Sequence, residues 1–143
     1  MKTMQALSMF MMVLISTHAY TQSDTVGWGR NSRFNMMYDS KTVTEVNGEI
    51  IKIERVTPIR GMSQGVHITV KGGNHVYSIH LGPQWFMDSQ PMKLNTKDRV
   101  KVKGSLIMFE GSPAIIATEL TKGNDVLRLR NENGIPVWAR RRR

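Results

Sequence analysis

The sequence has no cysteine among its 143 residues. A disulfide framework, a thiolate metal site and a cysteine nucleophile are therefore all excluded. Small secreted proteins of eukaryotes usually depend on disulfides, whereas bacterial periplasmic proteins often have none. The absence of cysteine thus argues against the eukaryotic class and is compatible with the periplasm or the exterior of a bacterium.

The sequence also lacks a hydrophobic run long enough to span a bilayer. A mostly apolar stretch extends from Ala6 to Ile15, between Lys2 and a group of small residues that ends at Ala19. Ten residues of helix cover about 15 Å, about half of a hydrocarbon core. A basic start, a short apolar stretch and small residues at its end are typical of a cleaved secretory signal peptide. We therefore expect residues 1–19 to be removed and a periplasmic or secreted protein without a transmembrane span to remain.

No catalytic motif stands out. Glycoside hydrolysis needs two carboxylates that flank one cleft, yet the acidic residues between Glu45 and Glu132 are scattered over predicted strand faces and turns. The serines include no Gly-x-Ser-x-Gly nucleophile motif. The sequence therefore predicts a protein that is not an enzyme and that requires no cofactor.

The formal net charge of +9 is distributed unevenly. Residues 139–143 form a basic tail that ends in four arginines, Arg140 to Arg143. Such a tail favours polyanions at low salt. A terminal run of like charges is more often a solvated, disordered end, and that is our expectation for it.

The chain divides at about Thr42. Residues 20–41 are rich in glycine, asparagine and serine and follow neither helical nor strand periodicity, so we interpret them as a flexible lead-in. From Thr42 the pattern is that of strands, with Val46 and Ile50 on one face of the first. The phase then changes, because Ile51 and Ile53 continue on the other face. Such a slip predicts a β-bulge and is a first indication of a small closed barrel.

Two alternating runs, 66–70 and 76–81, flank Gly72-Gly73-Asn74 and predict a hairpin in which Lys71 pairs with Asn74. Pro83 suits the start of a short helix over 84–90, whose Trp85 and Phe86 are predicted to close the bottom of the barrel. Further strands are predicted over 99–103, 113–120 and 126–130, and a turn at Asn133-Gly134 predicts an added C-terminal hairpin. The prediction is mainly β: a small five-stranded OB-like Greek-key barrel over residues 42–138 with one short helix.

Three stretches carry a resemblance to a known family: 66–86 (VHITVKGGNHVYSIHLGPQWF), 98–105 (DRVKVKGS) and 127–138 (LRLRNENGIPVW). They resemble a family of small exported bacterial OB-fold proteins, some of them labelled DNA-binding or magnetosome-associated. The similarity covers roughly residues 43–138. It implies a periplasmic binding module without established catalysis.

Basic residues on predicted strand faces are the first candidates for a binding site. In the fourth strand Arg99, Lys101 and Lys103 alternate with valines, and Arg128 and Arg130 alternate with leucines near the end. We expect these five residues to dock a protein in the cell envelope or another anionic partner. Nucleic acid is an alternative, but the aromatic residues on which single strands stack do not lie between the basic residues of the fourth strand.

Two histidines are candidates for a metal site. In the predicted hairpin register His67 faces Ser78 and lies diagonal to His80, about 7 to 8 Å away. Methionines on neighbouring predicted loops (Met62, Met87 and Met92) could add thioethers, which together with imidazole suit copper(I). A metal-handling accessory protein, with copper or another divalent metal at His67 and His80, is therefore a second hypothesis. The alternative is that both histidines are simply polar residues on an outer strand face.

Overall fold

The computed structural model describes residues 26–139. The predicted signal peptide and the four terminal arginines lie outside these residues. Within them are six strands: β1 (Val43–Val56), β2 (Gly65–Gly72), β3 (His75–Pro83), β4 (Arg99–Phe109), β5 (Ser112–Lys122) and β6 (Asp125–Arg128). One α-helix, α1 (Gln84–Asp88), and three single turns of 3₁₀-helix, at Asn35–Met37, Ser40–Thr42 and Val137–Ala139, complete the regular structure of this part of the chain. No helix among residues 26–139 is long and apolar enough to cross a membrane.

The six strands form one sheet, with the order β3-β2-β1-β4-β5-β6. Neighbouring strands are antiparallel, and β3 additionally pairs in parallel with β5, His80 lying opposite Ile116. Strands β1 to β5 are thereby joined in a ring of pairings that surrounds the main hydrophobic core. Aliphatic side chains from all five strands are buried there: Ile50, Ile68, Val70, Ile79, Leu81, Val102, Ile115 and Leu120. The predicted mainly β fold with a short helix between the third and fourth strands is confirmed.

The predicted bulge in the first strand is confirmed. The register of β1 against β2 shifts between Ile50 and Lys52, which leaves Ile51 as the extra residue. On either side of this point β1 has different partners, since Val43–Glu49 pairs with β4 and Glu49–Val56 pairs with β2. A bulge bends a strand, and this bend lets one strand serve two parts of the sheet.

The predicted register of the β2–β3 hairpin is wrong by two residues. Gly72 pairs with His75, so the turn consists of Gly73 and Asn74 alone. Gly73 supplies a φ of 61°, as the first central position of a two-residue hairpin turn requires. A shift of two keeps every side chain on its face, and the predicted core face is therefore correct. Its consequence is local: His67 lies directly opposite His80 rather than opposite Ser78.

Residues 26–41 of the predicted lead-in pack against the sheet, although their composition predicts a flexible segment. Trp28 is 2% and Phe34 1% exposed, and both pack on the outer face of the sheet against Ile116. Space for Trp28 comes from Gly65, where an added Cβ would lie 2.5 Å from the indole ring. Residues 26–41 are therefore part of the folded domain, held by contacts with residues far along the sequence.

The predicted C-terminal hairpin is present in a very short form. The chain turns at Asn133-Gly134 and returns antiparallel through the bridge of Arg130 with Pro136 and the hydrogen bonds that flank it. Trp138 then packs over Gly82 and donates an indole hydrogen bond to the carbonyl of Trp28 at 2.8 Å. At the helix, Phe86 and Met87 face the core, whereas the predicted plug residue Trp85 does not belong to it.

The packing of the lead-in can be tested by substituting alanine for glycine at two positions. Gly65→Ala forces Trp28 from its place, and we expect the free energy of unfolding to fall by about 1–3 kcal/mol. Gly29→Ala is the matched control, because its added Cβ meets nothing within 4 Å. Urea denaturation of both variants decides the matter: equal stabilities would contradict the packed lead-in.

A candidate partner-binding groove and a buried histidine pair

The predicted basic face of the fourth strand is exposed but accompanied by acids. Arg99, Lys101 and Lys103 all point to solvent on one face of β4. In the neighbouring β1, Glu49 lies directly opposite Arg99 and Glu45 directly opposite Lys103. Directly opposed residues share a face, so each end of the basic row stands beside a carboxylate.

The same pattern continues on the other side of β4. Lys103 is opposite Glu119 of β5, and Glu119 is opposite Arg128 of β6. The Nη1 atom of Arg128 is 3.8 Å from Oε2 of Glu119, in an ion pair that is largely exposed on the arginine side. Glu45, Lys103, Glu119 and Arg128 therefore form a row of alternating sign across four strands. The surface is a mixed-charge one rather than the uniformly basic face that the sequence predicts.

Arg130 is not on this exposed surface, and its predicted place beside Arg128 is wrong. Its side chain is only 4% exposed. Nη1 donates to the carbonyls of Leu81 and Ala117 at 3.0 and 2.6 Å, and Nε donates to Oδ1 of Asn35 at 3.3 Å. The guanidinium carbon also lies 5.0 Å from the ring centre of Trp138, within the range of a cation–π contact.

A bulge in β5 explains why Arg130 turns inwards. Lys103 pairs with Glu119 but Gly104 pairs with Ala117, so Thr118 is the extra residue. The carbonyl of Thr118 accepts from the backbone N–H of Leu129 at 2.8 Å and from that of Arg130 at 3.1 Å. This shared acceptor ends the regular alternation of β6 one residue before Leu129 and directs the side chain of Arg130 under the sheet edge.

Burial sets the electrostatics of Arg130 and its neighbour Tyr38. Removal from water lowers the pKa of Arg130 to about 9, a change that Tyr38 partly opposes. Burial raises the pKa of Tyr38, while the charge of Arg130 acts in the opposite direction. Arg130 therefore remains a cation at neutral pH, although one that is poorly solvated.

Three of the five predicted binding residues meet around one polar groove of about 540 Å³. The groove lies between the lead-in and the end of β6 and is lined by Tyr38, Ser40, Val43, Lys103, Thr118, Glu119, Arg128, Arg130, Asn131 and Glu132. Arg99 and Lys101, further along β4, do not line it. The groove is the place where the structure brings together positive side chains from β4, β6 and the segment after β6.

Sequence reasoning missed the residues that shape the groove from the lead-in and the final turn. Asn35 donates to the carbonyls of Arg30 and Gly134, both at 3.1 Å, and so ties the two segments together. Asn131 holds the turn by accepting from the N–H of Asn133 and of Ile135 at 3.0 and 2.9 Å. The one available signal was the asparagine-rich turn itself, because asparagine side chains commonly bind nearby backbone N–H groups.

The two candidate histidines are closer than predicted. Their rings are stacked, 3.7 Å apart between centres and 7° from parallel, and Phe34 of the lead-in stacks on the far side of His80 at 5.6 Å. His67 is 8% and His80 2% exposed. Burial lowers the pKa of His67 to about 4, against the opposing charge of Glu54, and that of His80 to about 3, with further lowering by His67 and Arg130.

The stacked rings do not suit a shared metal ion. Each imidazole binds a metal through a lone pair in its own ring plane, and two nearly parallel planes do not meet at one ion. Met62 packs with the lead-in, whereas Met87 and Met92 belong to the main core, so the three methionines do not surround the pair. Among residues 26–139 no group of three or more histidines, aspartates or glutamates could hold a metal.

The family model of the MamS/MamX magnetosome protein family matches residues 42–127, which is more than half of the chain. The match covers β1 to β5 and most of β6, including Lys103 and Thr118. It ends before Arg128 and Arg130. A search of curated proteins finds no match.

The buried histidine pair predicts acid sensitivity with a definite sign. Both histidines are neutral in the folded protein, while in the unfolded chain they take up protons near their ordinary pKa of 6.5. Their contribution to stability is therefore complete above pH 6.5 and is lost as the pH falls towards 4. We expect His67→Gln to reduce the slope of unfolding free energy against pH between 6 and 4.5 by about 1.4 kcal/mol per pH unit.

The exposed His75 provides the control, since His75→Gln should leave this slope as it is. Urea denaturation at a series of pH values measures it. An identical slope in the wild-type protein and the His67→Gln variant would contradict the buried neutral pair.

Proposed function

The chain belongs to the MamS/MamX magnetosome protein family, and we propose that it serves there as a non-enzymatic binding module that docks a protein partner through the groove at Lys103, Arg128 and Arg130. The observation that carries this proposal is the convergence of these three cations on one polar groove of about 540 Å³. From the predicted signal peptide we propose that the module and its partner lie in the cell envelope or outside the cell.

We propose further that the ring of pairings is a five-stranded OB-like barrel. Its order around the ring is β1-β2-β3-β5-β4, with the short helix between β3 and β4. A partly open Greek-key barrel of five strands is the arrangement of OB domains, which bind their ligands on the face of strands 2 and 3.

That face is already filled in this protein. Phe34 stacks on His80, Phe109 meets the same ring edge-on at 4.9 Å, and Trp28 packs beside them. Single-stranded nucleic acids bind OB domains by stacking bases on exposed aromatic side chains. Here the lead-in covers the corresponding surface, which argues against nucleic acid as the ligand. The proposed partner binds instead at the groove, which lies on other strands.

The charge pattern of the groove favours a protein over a polyanion. Three cations line it together with Glu119 and Glu132. A phosphate backbone carries only negative charge and would meet these carboxylates as well as the cations. A protein surface can present both signs, and opposed charges of this kind select partners and register.

Reversal of charge in the groove tests the proposal. We expect Lys103→Glu combined with Arg128→Glu to reduce binding of the protein to purified magnetosome membranes by about tenfold or more at low salt, since both groups then repel an acidic partner. Sedimentation of the membranes with labelled protein measures the bound fraction.

The matched control is Lys52→Glu combined with Arg55→Glu, which changes the net charge equally on exposed positions of β1 outside the groove. This control should bind as the wild-type protein does. Equal losses of membrane binding in both double variants would show that net charge alone causes the effect. An unchanged affinity of the groove variant would refute the proposed site.

A further inference from the structure

We propose that the groove is a carboxylate site: the partner inserts the carboxylate of an acidic peptide segment between Arg130 and Lys103. This inference rests on the proposed function and specifies its ligand. It follows from the unused donors of the Arg130 guanidinium, which lines the groove, from the absence of an ion-pair partner for Arg130 among residues 26–139, and from the other charges that line the groove.

The donors of Arg130 are only partly used. A guanidinium has five N–H groups. Nε donates to Asn35 and the two N–H groups of Nη1 donate to Leu81 and Ala117. Within residues 26–139 nothing accepts from Nη2, and Arg130 lines the groove. Two N–H donors of a side chain that is 96% removed from solvent thus remain for a ligand in the groove.

The charge of Arg130 is also unmatched. Four ion pairs occur among the described residues, and none of them includes Arg130. A buried cation without a counterion is costly, because it has lost water and gained no opposite charge. Neutral carbonyls and the ring of Trp138 offset this cost only in part, and an anion at Nη2 would supply what is missing.

The other charged residues that line the groove favour a singly charged anion. Lys103 and Arg128 attract it, while Glu119 and Glu132 limit the favourable potential. Arg130 offers a single free nitrogen and Lys103 lines the same groove, and we infer that a planar carboxylate uses both cations. A doubly charged phosphate would be repelled by both glutamates. An acidic side chain or a C-terminal carboxylate of a protein therefore fits better than a phosphoryl group.

The test is an NMR titration of the ¹⁵N-labelled protein with two peptides, Ac-Gly-Glu-Gly-Glu-Gly-NH₂ and its glutamine counterpart. We expect the glutamate peptide to shift the Nε–H signal of Arg130 and the amides of Thr118 and Asn131 in a saturable manner. The glutamine peptide should leave them in place. Inorganic phosphate, titrated separately, should shift the same signals more weakly.

Single substitutions can show whether the peptide binds in the groove. Lys103 is exposed, so Lys103→Gln should fold normally and weaken binding of the glutamate peptide by about threefold to tenfold. Lys101→Gln is the matched control from the same strand face and should bind as the wild-type protein does. Arg130→Lys, which keeps the charge but not the hydrogen-bond pattern, should abolish the localised shifts even where the variant remains folded.

Each other result overturns the inference in a recognisable way. Equal shifts with the glutamine peptide would show that the carboxylate is not what binds, and tighter binding of phosphate would assign the site to phosphoryl groups. If magnetosome membranes bind in a Lys103-dependent manner while the glutamate peptide does not, the proposed function stands and the carboxylate site falls. If the peptide binds and the membranes do not, the proposed function falls instead.

Discussion

The guanidinium of Arg130 is the constraint on which the rest of the arrangement depends. A buried cation must find a hydrogen-bond acceptor for each donor or lose stability. Here the acceptors for three of the five N–H groups come from β3, β5 and the lead-in, through Leu81, Ala117 and Asn35. Trp138 closes the other side with its ring. One side chain thus fixes four parts of the chain that are distant in sequence, and it can do so only because the Thr118 bulge turns it inwards.

The distribution of surfaces follows from this network. Because Asn35 is held, the lead-in stays on the outer face of β2, β3 and β5, where Phe34 and Trp28 cover the histidine stack. Because the segment after β6 is held as well, a groove remains between it and the lead-in. The outer face of β2 and β3 is therefore covered, whereas the polar, mixed-charge groove stays open.

Features that depend on local alternation along a strand could be predicted from the sequence. Features that depend on contacts between distant residues could not. Alternation with a period of two predicted the strands and the bulge at Ile51, because the side chains of a buried strand face recur at every second residue. The hairpin register could not be predicted in the same way, because a shift of two residues leaves every side chain on the same face of the sheet. The alternation of Arg130 with Leu127 and Leu129 predicts an exposed side chain for Arg130. The bulge that interrupts this alternation lies in another strand, β5. Residues 26–41 show no period, and their position depends on residues far along the chain: Ile116 packs against them, Arg130 bonds to Asn35, and Gly65 leaves space for Trp28.

Hydrogen exchange measured by mass spectrometry, with and without purified magnetosome membranes, tests the central claim most directly. The account predicts added protection in peptides covering 38–43, 118–119 and 128–132, which border the groove, and none in those covering His67 and His80. Protection confined to the strands that carry the two histidines would contradict it, since binding would then occur on the face that the lead-in covers.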